Sequence, residues 1–230
     1  MTIVRIDRRF RGPPDSANGG YFAGLVAREL GGSDVVVTLK RPAPLDRELT
    51  IECDAEKAAL FDGEDLLALA ERAPIEIDVP APPSFDEARE AERRYTGLKS
   101  HIYPGCFVCG PERQSNDGWR IFAGPTGADQ VAATWIADLE FAGEDGALRS
   151  EFVWAALDCP GYFAVEKLAG LALLGRIGVR MVAPVPCGEP LIVTGWGQGS
   201  EGRKHRAATA LFDRHGDLLA AATQTWVSLN

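Results

Sequence analysis

The sequence is short of basic charge, of histidine and of long apolar runs. Its 24 lysines and arginines stand against 33 acidic residues, a net charge of −9. Binding a phosphate backbone needs a basic surface, so no nucleic-acid partner is expected. No apolar stretch reaches the ~18–20 residues of a membrane helix. The segment MTIVRIDRRF lacks the apolar core of a secretion signal. A soluble, cytoplasmic protein without a membrane partner is therefore expected. Five cysteines are an odd number and do not read as a disulfide framework in a chain of this size. With three histidines, two of them in or beside turn-like stretches, a Ser-His-Asp triad is not expected. GxSxG, P-loop and HExxH patterns are absent from the sequence. What is plentiful is apolar: 46% of 230 residues, enough for a large core in one domain or two fused small ones.

That apolar material is arranged twice. Residues 37–51, VTLKRPAPLDRELTI, echo 179–193, VRMVAPVPCGEPLIV, with Ala43-Pro44 on Ala183-Pro184 and Glu48 on Glu189. Residues 59–71, ALFDGEDLLALAE, echo 210–224, ALFDRHGDLLAAATQ. The two offsets differ by about ten residues, as a longer hairpin in the second copy would require. Each copy opens on a stretch that is apolar nearly all round, 19–30 and 150–168, the pattern of a buried helix. Strand-like segments follow, with Asp62-Gly63 and Arg214-His215-Gly216 as tight turns. Buried helices followed by runs of strands predict an α+β fold with antiparallel sheet. The divisions expected are a first repeat over 1–73, a linker over 74–99 and a second repeat over 100–230. Four prolines in 74–83 exclude regular helix there. Ser84 to Glu87 offers a capping box for a charged, solvated helix.

Several residues have side-chain chemistry suited to a site. Asn18, Gly19 and Gly20 open the first helix, where unpaired N–H groups and the helix dipole favour an anion or a developing oxyanion. The plain alternative is that Asn18 is an N-cap and the glycines a tight turn. Asp158 is the only carboxylate between Phe152 and Val165. Desolvation should raise its pKa, which suits a general base or nucleophile; equally, it could cap a helical segment opened by Cys159-Pro160. Gln224 interrupts an apolar strand and either enters a site or faces solvent. Cys106 and Cys109 have CxxC spacing, but with His101 as the only nearby histidine the segment falls short of four zinc ligands. A structural turn is expected there, and no metal. Gly197 to Gly202 matches GxGxxG formally, but a strand follows it where a dinucleotide site needs a helix.

A buried helix wrapped by sheet, present twice, resembles the double hotdog fold. Gly19-Gly20-Tyr21 resembles the GGY helix start of acyl-CoA thioesterase-like double hotdog proteins. CFVCGPERQSNDGWRIF (106–122) resembles a motif of many hotdog thioesterases, Leu157-Asp158 the helix aspartate of others, and Leu218-Leu219-Ala220 with Gln224 the last strand of acyl-CoA thioesterase II. The resemblance implies hydrolysis of an acyl-CoA without a cofactor, at one composite site per chain. Asp158 would be the base, the Gly20 and Tyr21 amides the oxyanion donors, and Gln224 the group orienting water. Repeat one carries Ala27 where the acid would stand, and repeat two carries Ser150-Glu151 in place of the glycines. No counterpart of the thioesterase II threonine is evident.

Coenzyme A is anionic, so its site needs local positive charge. Arg203 and Lys204, with Arg206 beside them, are the densest basic group in repeat two, and Arg176 and Arg180 are further candidates; a solvated strand end is the alternative. A non-catalytic acyl-CoA or lipid-like binding protein is the second reading of the chain. A hydratase, which needs a histidine such as His101 beside an acid, is the third. A homodimer is possible.

Overall fold

A computed structural model of the chain describes residues 1–115, 117–127 and 129–229. The first helix, α1 (Gly19–Leu30), starts where the Asn18 side chain accepts the Tyr21 N–H at 2.9 Å and ends at Gly31, whose φ of +60° suits glycine. Helix α3 (Ser150–Ala169) ends likewise at Gly170, φ +55°. The short helix α2 (Phe85–Glu92) has the expected capping box, Ser84 and Glu87 each serving the other's backbone.

The strands are β1 (Thr2–Arg5), β2 (Asp34–Leu39), β3 (Glu48–Cys53), β4 (Lys57–Asp62), β5 (Asp65–Arg72), β6 (Gly124–Pro125), β7 (Gln130–Ile136), β8 (Ala172–Met181), β9 (Pro190–Glu201), β10 (Lys204–Asp213) and β11 (Leu218–Ser228). They form one antiparallel sheet in the order β1-β3-β4-β5-β2-β8-β11-β10-β9-β7-β6. Read outward from the β2–β8 junction, β5, β4, β3 and β1 mirror β11, β10, β9 and β7. At that junction Val35 pairs with Val179 and Val37 with Ile177. Strands β9 and β10 have 12 and 10 residues against 6 each in β3 and β4, which is the longer hairpin the offset requires. The outer strands β1, β6 and β7 were not signalled by the pattern, since none of them lies in the echoed segments.

Both long helices are buried against this sheet, α1 on β2 to β5 and α3 chiefly on β7 to β11. They also press on each other. A methyl group on Gly20 would lie 2.4 Å from the Trp154 carbonyl oxygen, and one on Gly24 2.6 Å from Glu151 Cα. Gly20 and Gly24 are four apart on one face of α1. The sequence suggested that a glycine here admits a ligand to the backbone; Gly20 instead admits helix α3.

The linker is less solvated than its charge implied. Ala88 and Ala91 of α2 are fully buried. They share a second apolar cluster with Ile192, Trp196 and Phe212, against which Ile77, Val79 and Phe85 also pack. The proline-rich strap and α2 therefore cover an apolar patch of the sheet. Among the described residues no helix is long and apolar enough to cross a membrane.

Candidate active site

Asp158 sits in the middle of α3, 2% exposed. Because α3 continues through Pro160 to Ala169, Asp158 caps no helix segment of its own. It reaches across to the start of α1 instead. Its Oδ2 accepts the Gly20 N–H at 2.8 Å and the Asn18 side-chain amide at 2.8 Å. This is the favourable placement of a carboxylate at a helix N-terminus, supplied by the other repeat. The second oxygen, Oδ1, is buried without a hydrogen-bond partner among the described residues. Burial pushes the carboxyl up to about 7 against the pull of the Gly20 N–H, with the neighbouring Cys106 raising it further and Asn18 lowering it.

These bonds correct the expected oxyanion donors. The Gly20 N–H is engaged by Asp158 and the Tyr21 N–H by Asn18 Oδ1. Among the hydrogen bonds of the described residues, the first amide of α1, that of Gly19, has no acceptor. Gly19 lines a cavity of about 310 Å³ together with Asn18 and Asp158. Phe22 and Leu174 contribute apolar wall, and Lys40 and Arg41 also border it. Its size is at the lower end for small-molecule sites, and its lining has the usual character: largely apolar with a few convergent polar groups.

Gln224 is buried, 3% exposed, but does not line this cavity. Its amide nitrogen donates to the Leu157 carbonyl, and also to the Asp158 carbonyl at 3.2 Å and Thr209 Oγ1 at 3.3 Å. Its amide oxygen accepts the Trp226 indole N–H at 2.7 Å. The oxygen expected to orient a water thus already accepts one hydrogen bond. Thr209, which the sequence pattern does not single out, donates to the Leu157 carbonyl at 2.8 Å. Pro160 removes one N–H from the middle of α3, and Thr209 and Gln224 bind helix carbonyls just before it. Gly161 leaves room for this, since a methyl there would meet the Gln224 side chain.

The CxxC segment forms the expected turn, closed by the Gly110 N–H on the Cys106 carbonyl at 2.9 Å. Excluding a metal on ligand count does not hold, however. Cys159 of α3 brings its sulfur to 3.7 Å from that of Cys106, 53 residues away in sequence. The sulfurs of Cys106, Cys109 and Cys159 all lie within 4.8 Å of one another. The Cys106 thiol is drawn well below its ordinary range by hydrogen bonds from Cys109 and Cys159. His101 places Nε2 at 3.4 Å from Cys109 Sγ, and its Nδ1 accepts the Tyr103 N–H at 2.9 Å. A neutral ring so held carries its proton on Nε2 and directs it at the sulfur.

The basic residues divide differently from expectation. Arg203, Lys204 and Arg206 are exposed at the β9–β10 hairpin, and none of them lines the cavity. Arg176 lies 3.7 Å from Glu71, and Arg180 3.2 Å from Asp34. Lys40 and Arg41, just beyond β2, are the cations at the cavity; Arg41 pairs with Asp65 at 2.7 Å. Where the mirrored site would stand, Glu151 at the start of α3 meets Arg28 of α1 at 3.1 Å. An ion pair there replaces the pairing of a carboxylate with a helix amide.

No family model and no curated protein matches the sequence. Among solved structures, the chain is similar to a candidate thioesterase from Novosphingobium aromaticivorans at 14% identity, covering 99% of this chain and 95% of that one with a TM-score of 0.65. It is similar to the tesB protein of Mycobacterium avium subspecies paratuberculosis at 15% identity, 98% and 91% coverage and a TM-score of 0.62. A protein of unknown function with a hot dog fold from Alicyclobacillus acidocaldarius aligns at 13% identity, 98% and 91% coverage and a TM-score of 0.63. At such identities the likeness is one of fold. Together with the mirrored sheet and its two buried helices, it identifies the architecture as a double hot dog.

Proposed function

We propose that the chain hydrolyses an acyl thioester of the acyl-CoA class to the free acid and the thiol. The observation that carries this reading is the state of Asp158. One carboxylate oxygen is fixed by Asn18 and Gly20 from the other repeat, and the second has no hydrogen-bond partner among the described residues, in a residue that lines the cavity. A carboxylate held in this way has one oxygen available to accept a proton.

In the proposed reaction Asp158 Oδ1 takes a proton from water as the water oxygen bonds to the thioester carbonyl carbon. The carbonyl oxygen gains the negative charge, and the Gly19 N–H at the N-terminus of α1, which has no acceptor among the described residues, would receive it. The C–S bond then breaks, the oxyanion reforms the carbonyl, and the thiolate leaves with the proton returned from Asp158. Asn18 and Gly20 keep the carboxylate in one orientation throughout. Lys40 and Arg41 are the groups for the phosphates of a CoA-type substrate, and the apolar wall is suited to the acyl chain.

Incubation with a panel of acyl-CoAs, followed by chromatography of free acid and CoA, tests the reading. Chromatography is preferable to a thiol reagent because the five cysteines, all free, include the exposed Cys53. Release of both products supports a thioesterase. Binding of an acyl-CoA without release would make the chain a ligand-binding protein that kept the cavity.

A further inference from the structure

Three cysteine sulfurs from two distant segments meet in one buried spot, and the proposed hydrolysis uses none of them. Cys106 and Cys109 are each 3% exposed and Cys159 6%. Buried cysteines often act simply as small apolar side chains. Two features separate this cluster from that ordinary case. The first is the spacing: 3.7 Å between the Cys106 and Cys159 sulfurs. Four ligands at the Zn–S distance of about 2.3 Å define a tetrahedron with an edge of about 3.8 Å. The second is a pair of side-chain N–H donors. The Asn18 amide nitrogen is 3.9 Å from the Cys106 sulfur and 3.8 Å from that of Cys159, and His101 directs its Nε2–H at Cys109. A neutral thiol is a weak acceptor, whereas N–H groups converging on sulfur suit thiolates and form the outer shell a metal site requires.

We propose that Cys106, Cys109 and Cys159 bind one thiophilic divalent ion of the zinc class. The CxxC turn has the ligand spacing of such sites, and Gly110 after it is needed for the turn, since a methyl there would lie 2.4 Å from the Pro104 carbonyl oxygen. Binding replaces three S–H bonds by three metal–sulfur bonds and releases three protons to solvent. All three cysteines, with His101, line the cavity, which supplies an entry path for the ion. The ion would pin the loop bearing the CxxC turn to α3, immediately beside Asp158. Metal content is measured without turnover, so this proposal and the thioesterase reading fail separately.

The test uses full-length protein purified under reducing conditions. Elemental analysis should find one zinc per chain. After removal by chelation, the protein should take up one equivalent of Co²⁺, giving tetrahedral d–d bands and intense sulfur-to-cobalt charge transfer, and chelation should lower the melting temperature. Cys159→Ser and Cys106→Ser should each weaken metal binding by at least ~100-fold, since outer-shell losses alone reach that size. Folded, reduced protein that binds neither ion overturns the proposal. So does metal binding unaffected by Cys159→Ser, or a native Cys106–Cys159 disulfide read as a mass two daltons lower. If the serine variants do not fold, the cobalt spectrum of the wild type decides: absence of sulfur charge transfer ends the proposal.

Discussion

The Gly20 N–H and the Asp158 carboxylate meet at 2.8 Å although 138 residues separate them in sequence. One belongs to the first repeat and the other to the second, so the site exists only because the two halves fold onto one sheet. The close approach depends on Gly20 having no side chain, because the Trp154 backbone fills the space where a methyl group would go.

Gly20→Ala should therefore destabilise the chain by about 1–3 kcal/mol, the range for an overpacked interior. It should also disturb the Asp158 hydrogen bonds. Gly127→Ala is the control, since nothing lies within 4 Å of a methyl placed there. Denaturant unfolding of the two variants checks this; equal stabilities would mean that the helices separate without penalty.

The cations at the cavity make a second prediction. Lys40→Glu should raise KM for a CoA thioester by about tenfold at low salt, equivalent to ~1.4 kcal/mol, and less at high salt. KM for a short thioester without the nucleotide should not change. Reversing Arg203 and Lys204 should shift KM by less than about twofold, because neither residue lines the cavity. The opposite ranking would place the nucleotide at the β9–β10 hairpin.

Gln224 provides a third. Gln224→Leu leaves the buried Trp226 indole N–H without its acceptor and takes a donor from the Leu157 carbonyl. Each such buried group costs about 1–3 kcal/mol when left unpaired, so the melting temperature should fall while kcat of the folded variant stays within about threefold. A fall in kcat of about 100-fold at unchanged stability would show that Gln224 positions water after all.

Local pattern revealed the elements and which of them repeat. Asn18 as a cap, the Ser84 capping box and the two apolar helices are all readable from a few neighbouring residues. The echo of 37–51 in 179–193 shows that the elements repeat, but not that β2 and β8 join the two copies. Asp158 was visible because a lone carboxylate in an apolar helix is costly wherever it lies. What escaped notice depends on convergence across the fold. Cys159 joins the CxxC turn through the packing of α3, and no spacing within the segment signals it. Thr209 is one polar residue in an apolar strand until Leu157 and Gln224 are set beside it. Lys40 and Arg41 read as an ordinary charged strand end, and only the position of the cavity distinguishes them from Arg203 and Lys204. The Gly20 and Tyr21 amides were correctly placed at a helix start, but the partners that occupy them are a side-chain matter that sequence position leaves open.

The most direct test of the proposed chemistry is the turnover number of Asp158→Asn on the best acyl-CoA of the panel. Asparagine keeps the size and can still accept the Gly20 N–H, while removing the proton acceptor. Loss of a general base typically lowers rates by ~10²–10⁴, so kcat should fall at least about 100-fold with the melting temperature and KM little changed. A variant that hydrolyses the substrate at near wild-type rate would reduce Asp158 to the group that holds α1 against α3, and the mechanism would be wrong.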